Sequence, residues 1–275
     1  MKSFYQNWKL DQDLPMVVHQ SRDLTFYPHF HAEVEFIYVD SGSIVVGVNE
    51  DKRLLQQGEM AVFCSNDIHY FDSKDRSSEM TIVIFHPELI GKTVSWPGDF
   101  AFESPFITGG HPELQPINLL LKRIMLEKND AKPGHRLFIQ ACLLELCGLL
   151  QRHLPIYAAE RGPQTRIASK RARIQQILSF IEEHYQDDLS VDVMCGQFGM
   201  EPSYFCRTFK KAIGMNFKTY LNSIRVLNAM RKLADSDANI TEIALECGFG
   251  SVRTFNRVYR ELQGASPSDL RREKN

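Results

Sequence analysis

Between residues 25 and 85 the apolar positions come in short runs, at 34–39, 43–48, 60–63 and 80–85, rich in β-branched and aromatic residues. Turn residues break these runs at Ser41-Gly42, Asn49-Glu50-Asp51, Gln57-Gly58 and Lys74-Asp75. Short strands at such close, regular spacing predict an antiparallel barrel or sandwich. After Pro112 the period lengthens. Leu114, Ile117, Leu121 and Ile124 fall at helical spacing, and a second segment from Leu137 to Leu150 is apolar on most sides, with Pro133-Gly134 between the two. A helix of that kind must be covered, either by the barrel wall or by the same helix of a second subunit. From Pro155 to Lys170 the periodicity stops and Gly162-Pro163 interrupts the chain, which predicts a linker.

Beyond the linker the pattern repeats with an offset of 50 residues: Phe205 matches Phe255, Arg207 Arg257, Phe209 Tyr259, Lys210 Arg260 and Gly214 Gly264. In the first copy Ser190 is placed as an N-cap, with Leu189 and Met194 as a hydrophobic staple, for a helix reaching about Phe198. Gly199 supplies a turn, and a second helix starts with Pro202 at its first position and stops before Gly214. In the second copy Asn239 and Glu242 have capping-box spacing, the helix ends at Cys247, Gly248-Phe249-Gly250 makes the turn, and Ser251 caps the next helix. Each copy reads as a helix-turn-helix unit. Asn216 caps a connecting helix to about Leu233, roughly 25 Å long at 1.5 Å per residue. That length suits two recognition helices on neighbouring major-groove segments, which lie about 34 Å apart.

The second helix of each unit is amphipathic. Phe205 and Phe209 fall on one side, while Ser203, Cys206, Arg207 and Lys210 fall on the other, with Lys211 adjacent; the second copy sets out Arg253, Asn256, Arg257 and Arg260, with Thr254 beside them. Arginine can grip guanine O6 and N7 as a fork, asparagine can bond adenine, and the remaining cations suit phosphates. We assign base reading to Arg207, Arg253 and Arg257 and phosphate contact to Lys210, Lys211 and Arg260. An ordinary bundle helix whose polar face meets water would look similar in one copy, and two matched copies argue against it.

Charge sharpens this division. The net charge of -2 conceals +5 over residues 161–275 and -7 over residues 1–160, so the C-terminal part is the one suited to a polyanion. The six cysteines show no C-x-x-C spacing and read as reduced thiols. No apolar run approaches the roughly 20 residues of a membrane span, and the start of the chain lacks a signal-peptide stretch, so a cytoplasmic protein with no membrane partner is expected. No nucleophile elbow, P-loop or dinucleotide fingerprint is present, and the chain is not expected to be an enzyme.

The stretch from Leu189 to Gly214, with Ile240-Thr-Glu-Ile-Ala-Leu-Glu-Cys-Gly-Phe-Gly-Ser251 and Gly264-Ala-Ser-Pro267, strongly resembles the AraC/XylS family of bacterial regulators over about residues 170–272. The resemblance implies that Ser203, Cys206 and Arg207, with Val252, Arg253, Thr254, Asn256 and Arg257, face DNA bases. It further implies recruitment of RNA polymerase. Cys206 and Val252 depart from common family choices at these positions.

Near the other end, His29-Phe-His-Ala-Glu-Val-Glu35 followed by Gly42 resembles the first cupin motif, H-x-H-x3-E-x6-G, and the region from Gly58 to His69 resembles the second, with Ser65 where proline is common. In such regulators this domain is a small β-barrel that binds an effector. His29, His31 and Glu35 share a strand face by their odd numbering, and His69 can join them from a second strand. Three readings are open: an effector pocket, a structural or solvent-facing set with Phe30, Val34, Phe36 and Tyr38 as the buried face, or a divalent metal site. The resemblance places the effector pocket first and implies neither metal nor cofactor.

The expected fold is α+β: a cupin-like effector-sensing β-barrel over 1–112, a helical dimerisation segment over 113–154, a linker over 155–170 and a DNA-binding domain with two helix-turn-helix units over 171–275. The expected function is that of a sequence-specific regulator acting on double-stranded DNA as a homodimer. By resemblance it is an activator of carbohydrate-use genes that answers a small-molecule effector such as a sugar. The competing reading is a metal-dependent cupin enzyme fused to a DNA-binding module. Phe4, Tyr5 and Trp8, ahead of the barrel, are expected to dock on the core.

Overall fold

The computed structural model describes residues 14–91, 100–158, 163–235 and 238–269, so Phe4, Tyr5 and Trp8 lie outside the described residues. Contacts divide the chain between Lys170 and Arg171 into two compact units.

The N-terminal unit carries β1 (Met16–Arg22), β2 (Phe26–His29), β3 (Val34–Val48), β4 (Asp51–Gln56), β5 (Met60–Phe63), β6 (His69–Asp72), β7 (Ser78–Phe85), β8 (Phe100–Phe102), β9 (Phe106–Ile107), α1 (Leu114–Asp130), α2 (His135–His153) and β10 (Ile156–Ala158). Eight strands form one antiparallel sheet, ordered β1-β7-β3-β5-β9, with β4 and β6 also paired to β3 and β2 paired to β6. The runs at 34–39 and 43–48, expected as separate strands, are one. The first part of β3 pairs with β7 and β5, and the second part with β4 and β6, so the sheet folds over on itself about this strand.

The fold-over has a local cause. A register shift lies between Val39 and Ser41, and Gly42 takes φ 73°. A Cβ at Gly42 would meet the Ser77 carbonyl oxygen at 1.9 Å, so only glycine fits. An inserted residue flips the alternation of faces. Before the bulge the odd residues Ile37 and Val39 enter the barrel core with Phe63, Phe71, Ile82 and Ile84; after it the even residues Ile44, Val46 and Val48 do so. The opposite face, with Val34, Phe36, Tyr38, Val62, Val83 and Phe85, packs against Ile117, Leu121 and Ile124 of α1 and Ile139, Leu143, Leu146 and Leu150 of α2. Both faces of β3 are therefore buried, which is why its first half reads as an almost unbroken apolar run.

The stretch 155–170, expected as a linker because its apolar periodicity stops, contains regular elements. It holds β10, paired with β8, and the first turns of α3 (Pro163–His184). A three-residue strand joins its neighbour through backbone groups alone and needs no apolar period, and Pro163 is well suited to a first helical turn.

The C-terminal unit comprises the rest of α3 with α4 (Val191–Phe198), α5 (Pro202–Ile213), α6 (Phe217–Asp235), α7 (Ile240–Glu246) and α8 (Val252–Gln263). The local signals decide the boundaries. The Ser190 hydroxyl accepts from the Val193 N–H, Asn239 and Glu242 close a capping box, and the Ser251 hydroxyl accepts from the Thr254 N–H. Gly214 and Gly264 end α5 and α8 at φ 78° and 72°, their N–H groups donating to the Lys210 and Arg260 carbonyls, so the repeat extends to the C-caps.

Helix α6 serves both helix-turn-helix units. Its N-terminal Phe217 and Tyr220 pack edge-on against Phe209, while Val226, Ala229 and Leu233 join Ile243, Phe255 and Tyr259 in the second core. Arg225 on α6 adds a polar tie, donating to the Tyr185 and Asp187 carbonyls at 2.7 and 2.8 Å. The turn of the second unit fits against the same place: a Cβ on Gly248, at φ 81°, would stand 2.7 Å from the Tyr185 carbonyl.

Candidate functional site

The recognition faces are set by aromatic anchors. On α5, Phe205 and Phe209 are fully buried, 5.6 Å apart between ring centres, and Phe205 stands edge-on to Phe217. With that face fixed inward, Ser203, Cys206, Arg207, Lys210 and Lys211 are exposed. On α8 the anchors are Phe255 and Tyr259, again 5.6 Å apart, and Arg253, Thr254, Asn256, Arg257 and Arg260 are exposed, with Val252 half-buried. Each helix thus offers the polar set expected of it on one solvent-facing side. Arg257 is held by Glu261 one turn on, at 2.7 Å. An exposed pair of this kind is worth about 0–1 kcal/mol, so it orients the guanidinium without locking it. The Glu201 carboxylate accepts from the Ser203 and Tyr204 N–H groups at the start of α5, and these two bonds are the main reason its carboxyl is held below the usual range.

The second polar constellation is inside the barrel. His29, His31, Glu35 and His69 are each only 1–2% exposed, and their ligand-type atoms lie within 4.8 Å of one another. The solvent-facing reading of these residues is therefore overturned: Glu35 shares the interior face of β3 with Ile37, and the opposite face, with Val34, Phe36 and Tyr38, is covered by α1 and α2, so neither face meets water. His29 ends β2 and His69 begins β6 opposite it in register, while His31 sits in the connection leading to β3. The His31 and His69 Nε2 atoms approach the same Glu35 oxygen at 3.0 and 3.3 Å. Each Nδ1 in turn meets a main-chain carbonyl: His29 that of Tyr27 at 2.9 Å, His31 that of Glu33 at 3.1 Å and His69 that of Asp67 at 2.8 Å. Burial lowers the His29 imidazole well below its usual range, and the neighbouring His69 and His31 add to this. Burial would raise the Glu35 carboxyl, but the hydrogen bonds from His31 and His69 and their charge outweigh it and hold the group well below the carboxylate range.

The sequence reading missed the groups that position this cluster. Asp67 accepts from the Cys64 N–H at 2.8 Å and from the Asn49 side chain at 2.9 Å, and the Asn49 oxygen accepts from Ile68 N–H, which fixes the turn leading into His69. Phe63 stacks on the His69 ring, with planes 8° apart and centres 4.4 Å apart. Asn49 stands at φ 55° and Asn66 at φ 65°, so the turn character of both was a readable signal, although their partners were not.

A family described as an AraC-like ligand binding domain matches residues 16–147, and a helix-turn-helix domain family matches residues 194–273. The chain is a regulator of the AraC/XylS family. It is a DNA-binding transcription regulator with an N-terminal ligand-binding domain. The chain is 22% identical over 251 residues to the HTH-type transcriptional activator RhaS of Shigella sonnei (strain Ss046), covering 90% of this chain and 87% of that protein. The same figures hold for RhaS of Escherichia coli O9:H4 (strain HS). Among solved structures, ToxT from Vibrio cholerae O395 aligns at a TM-score of 0.47 and 12% identity, covering 93% of this chain and 96% of that one. Among the described residues no helix of this AraC/XylS-family chain is long and apolar enough to cross a membrane.

Proposed function

We propose that this regulator is a cytoplasmic, effector-responsive activator that binds double-stranded DNA as a homodimer and meets RNA polymerase there, serving genes of carbohydrate use. The observation that carries the reading is the pair of matched recognition helices, each pinned by two buried aromatics with a basic, hydrogen-bonding face outward. Arg207, Arg253 and Arg257 read bases, with Ser203, Cys206, Thr254 and Asn256 beside them, and Lys210, Lys211 and Arg260 hold phosphates. Activation is supported by the relatives' names, and the carbohydrate role by family resemblance. In the sensing barrel, His29, His31, Glu35 and His69 are the polar groups through which an effector, a sugar by that resemblance, is felt. Both family matches are to regulatory modules, so an enzyme fused to a DNA-binding module is not favoured.

Self-association is supported by α1 and α2. The barrel wall covers one side of each, yet Leu119, Leu126, Leu137, Phe138 and Leu144 remain exposed, more apolar surface than a helix pair leaves in water without use. The deciding experiment is binding of the full chain to a library of promoter fragments at two salt concentrations. Preferential recovery of a common motif is expected; equal recovery of all fragments at low salt would remove the sequence-specific reading.

A further inference from the structure

We infer that the two recognition helices divide their work, α8 discriminating between base pairs and α5 chiefly holding the sugar-phosphate backbone. This division rests on the base and phosphate contacts proposed above and says which helix sets the operator sequence.

The repeat makes the two helices comparable position by position. Helices α5 and α8 are each 12 residues long, and their aromatic anchors stand 5.6 Å apart between ring centres in both. Gly214 and Gly264 each donate at 2.9 Å to the carbonyl four residues back. Residues at the repeat offset therefore leave their helices in the same direction, and a difference between them is a difference in what reaches the groove.

Recognition helices present their N-terminal residues to base edges. There α8 exposes Arg253 and Asn256 where α5 exposes Ser203 and Cys206. Arginine grips guanine and asparagine grips adenine through two bonds each, whereas a serine hydroxyl suits donors and acceptors alike and a thiol is a weak partner. Of the groups able to make a two-bond contact, Arg207 alone lies on α5, while α8 has Arg253, Asn256 and Arg257.

The acidic residues stand at opposite ends. On α5 the cap is Glu201, whose carboxylate accepts from the Ser203 and Tyr204 N–H groups at 3.0 and 2.8 Å. It occupies the donors of that end and sets a negative charge where phosphates and purine edges, themselves electronegative, would approach. On α8 the same position holds the neutral Ser251, and the acid is Glu261, further along the helix and paired with Arg257 at 2.7 Å. That pair orients Arg257 from the following turn and leaves the reading end cationic. In place of Glu261, α5 has Lys211 beside Lys210, so its cations gather from Arg207 onward, away from the reading end. A row of flexible ammonium groups there suits phosphates, which carry no sequence information.

The test is selection by the full chain from double-stranded oligonucleotides randomised over about four helical turns, enough for two chains. In each half-site most fixed bases are expected in one major-groove segment, with about one fixed pair in the next. Arg253→Ser with Asn256→Cys, which gives α8 the side chains of α5, should lower discrimination at two of the strongly fixed pairs by about tenfold or more each. Ser203→Ala with Cys206→Ala should leave every fixed base in place. Lys210→Ala with Lys211→Ala should keep the preference and lower the salt slope by about two units. Two segments fixed alike by the wild type overturn the division. So does a Ser203→Ala, Cys206→Ala variant, folded by circular dichroism, that loses as much discrimination as the α8 variant. A pool with no fixed base removes the sequence-specific reading itself and the division with it, so the two failures differ in what is recovered.

Discussion

In the C-terminal unit Arg207, Lys210, Arg253, Arg257 and Arg260 stand on exposed helix faces, while in the barrel His29, His31, Glu35 and His69 are turned inward and buried. The first set is held apart from its ligand by water and costs the fold little, because an exposed cation keeps its hydration until a phosphate or base replaces it. The second set has given up its water already, and its members must compensate one another through Glu35 and through carbonyls of the same chain. One site can be altered face by face without unfolding, whereas the other is part of the structure that carries it.

The strongest way to break this contrast is to remove an anchor of the exposed site. Phe255 is fully buried against Phe249 and Tyr259. Phe255→Ala is expected to cost about 3–5 kcal/mol and to unfold the second helix-turn-helix unit. Thermal denaturation of the full chain should then show the C-terminal transition lowered and the barrel transition in place; a single transition moving as a whole would show that the two regions do not respond separately.

A change on the apolar face of α2 tests a third kind of surface, exposed in one chain and buried in the proposed dimer. Leu137→Glu would place a carboxylate without a partner in that interface, a penalty of several kcal/mol. Sedimentation at tens of micromolar should move from dimer to monomer, and a wild-type monomer under the same conditions, with and without DNA, would end the self-association proposal.

Within the exposed site, Arg257→Ala should relax preference at one or two base pairs by about 1–3 kcal/mol, since a fork contact to guanine discriminates by that amount. Lys210→Ala should weaken binding to all sequences alike and lower the salt slope by roughly one unit, because a phosphate contact releases counterions without reading sequence. Uniform loss in the Arg207, Arg253 and Arg257 variants, with no position-specific change, would refute the division into reading and holding residues.

The smallest effect is local. Ser251→Ala removes the hydroxyl that accepts from the Thr254 N–H and should destabilise α8 by about 1 kcal/mol, read as a modest shift of the C-terminal transition. No shift would mean that packing of Phe255 alone sets where α8 begins.

What could be read beforehand divides along the same line. The caps at Ser190, Asn239 and Ser251, the Pro202 start and the Gly214 and Gly264 stops act within one helical turn, so sequence alone locates them. Helix α3 carries a readable period of buried residues, Ile174, Ile177, Leu178 and Ile181, just past the expected linker, to which the reading of the repeat assigned no element. By contrast β4, with five of its six residues exposed, gives almost no apolar signal; it is a strand because its backbone pairs with β3 from Ser43↔Gln56 to Val48↔Asp51.

The sequence by itself determined the repeated helix-turn-helix unit, the outward polar sets on α5 and α8, and the residue types of the barrel cluster. Those features depend on spacing within a few residues, where helix geometry or alternation fixes direction. Only the tertiary structure decided that the cluster is buried and convergent. Its four members come from segments up to 40 positions apart, from His29 to His69. The folding-over of the sheet that encloses them takes place at the bulge between Val39 and Ser41, where Gly42 lies against the Ser77 carbonyl across the sheet, a contact between residues far apart in the chain.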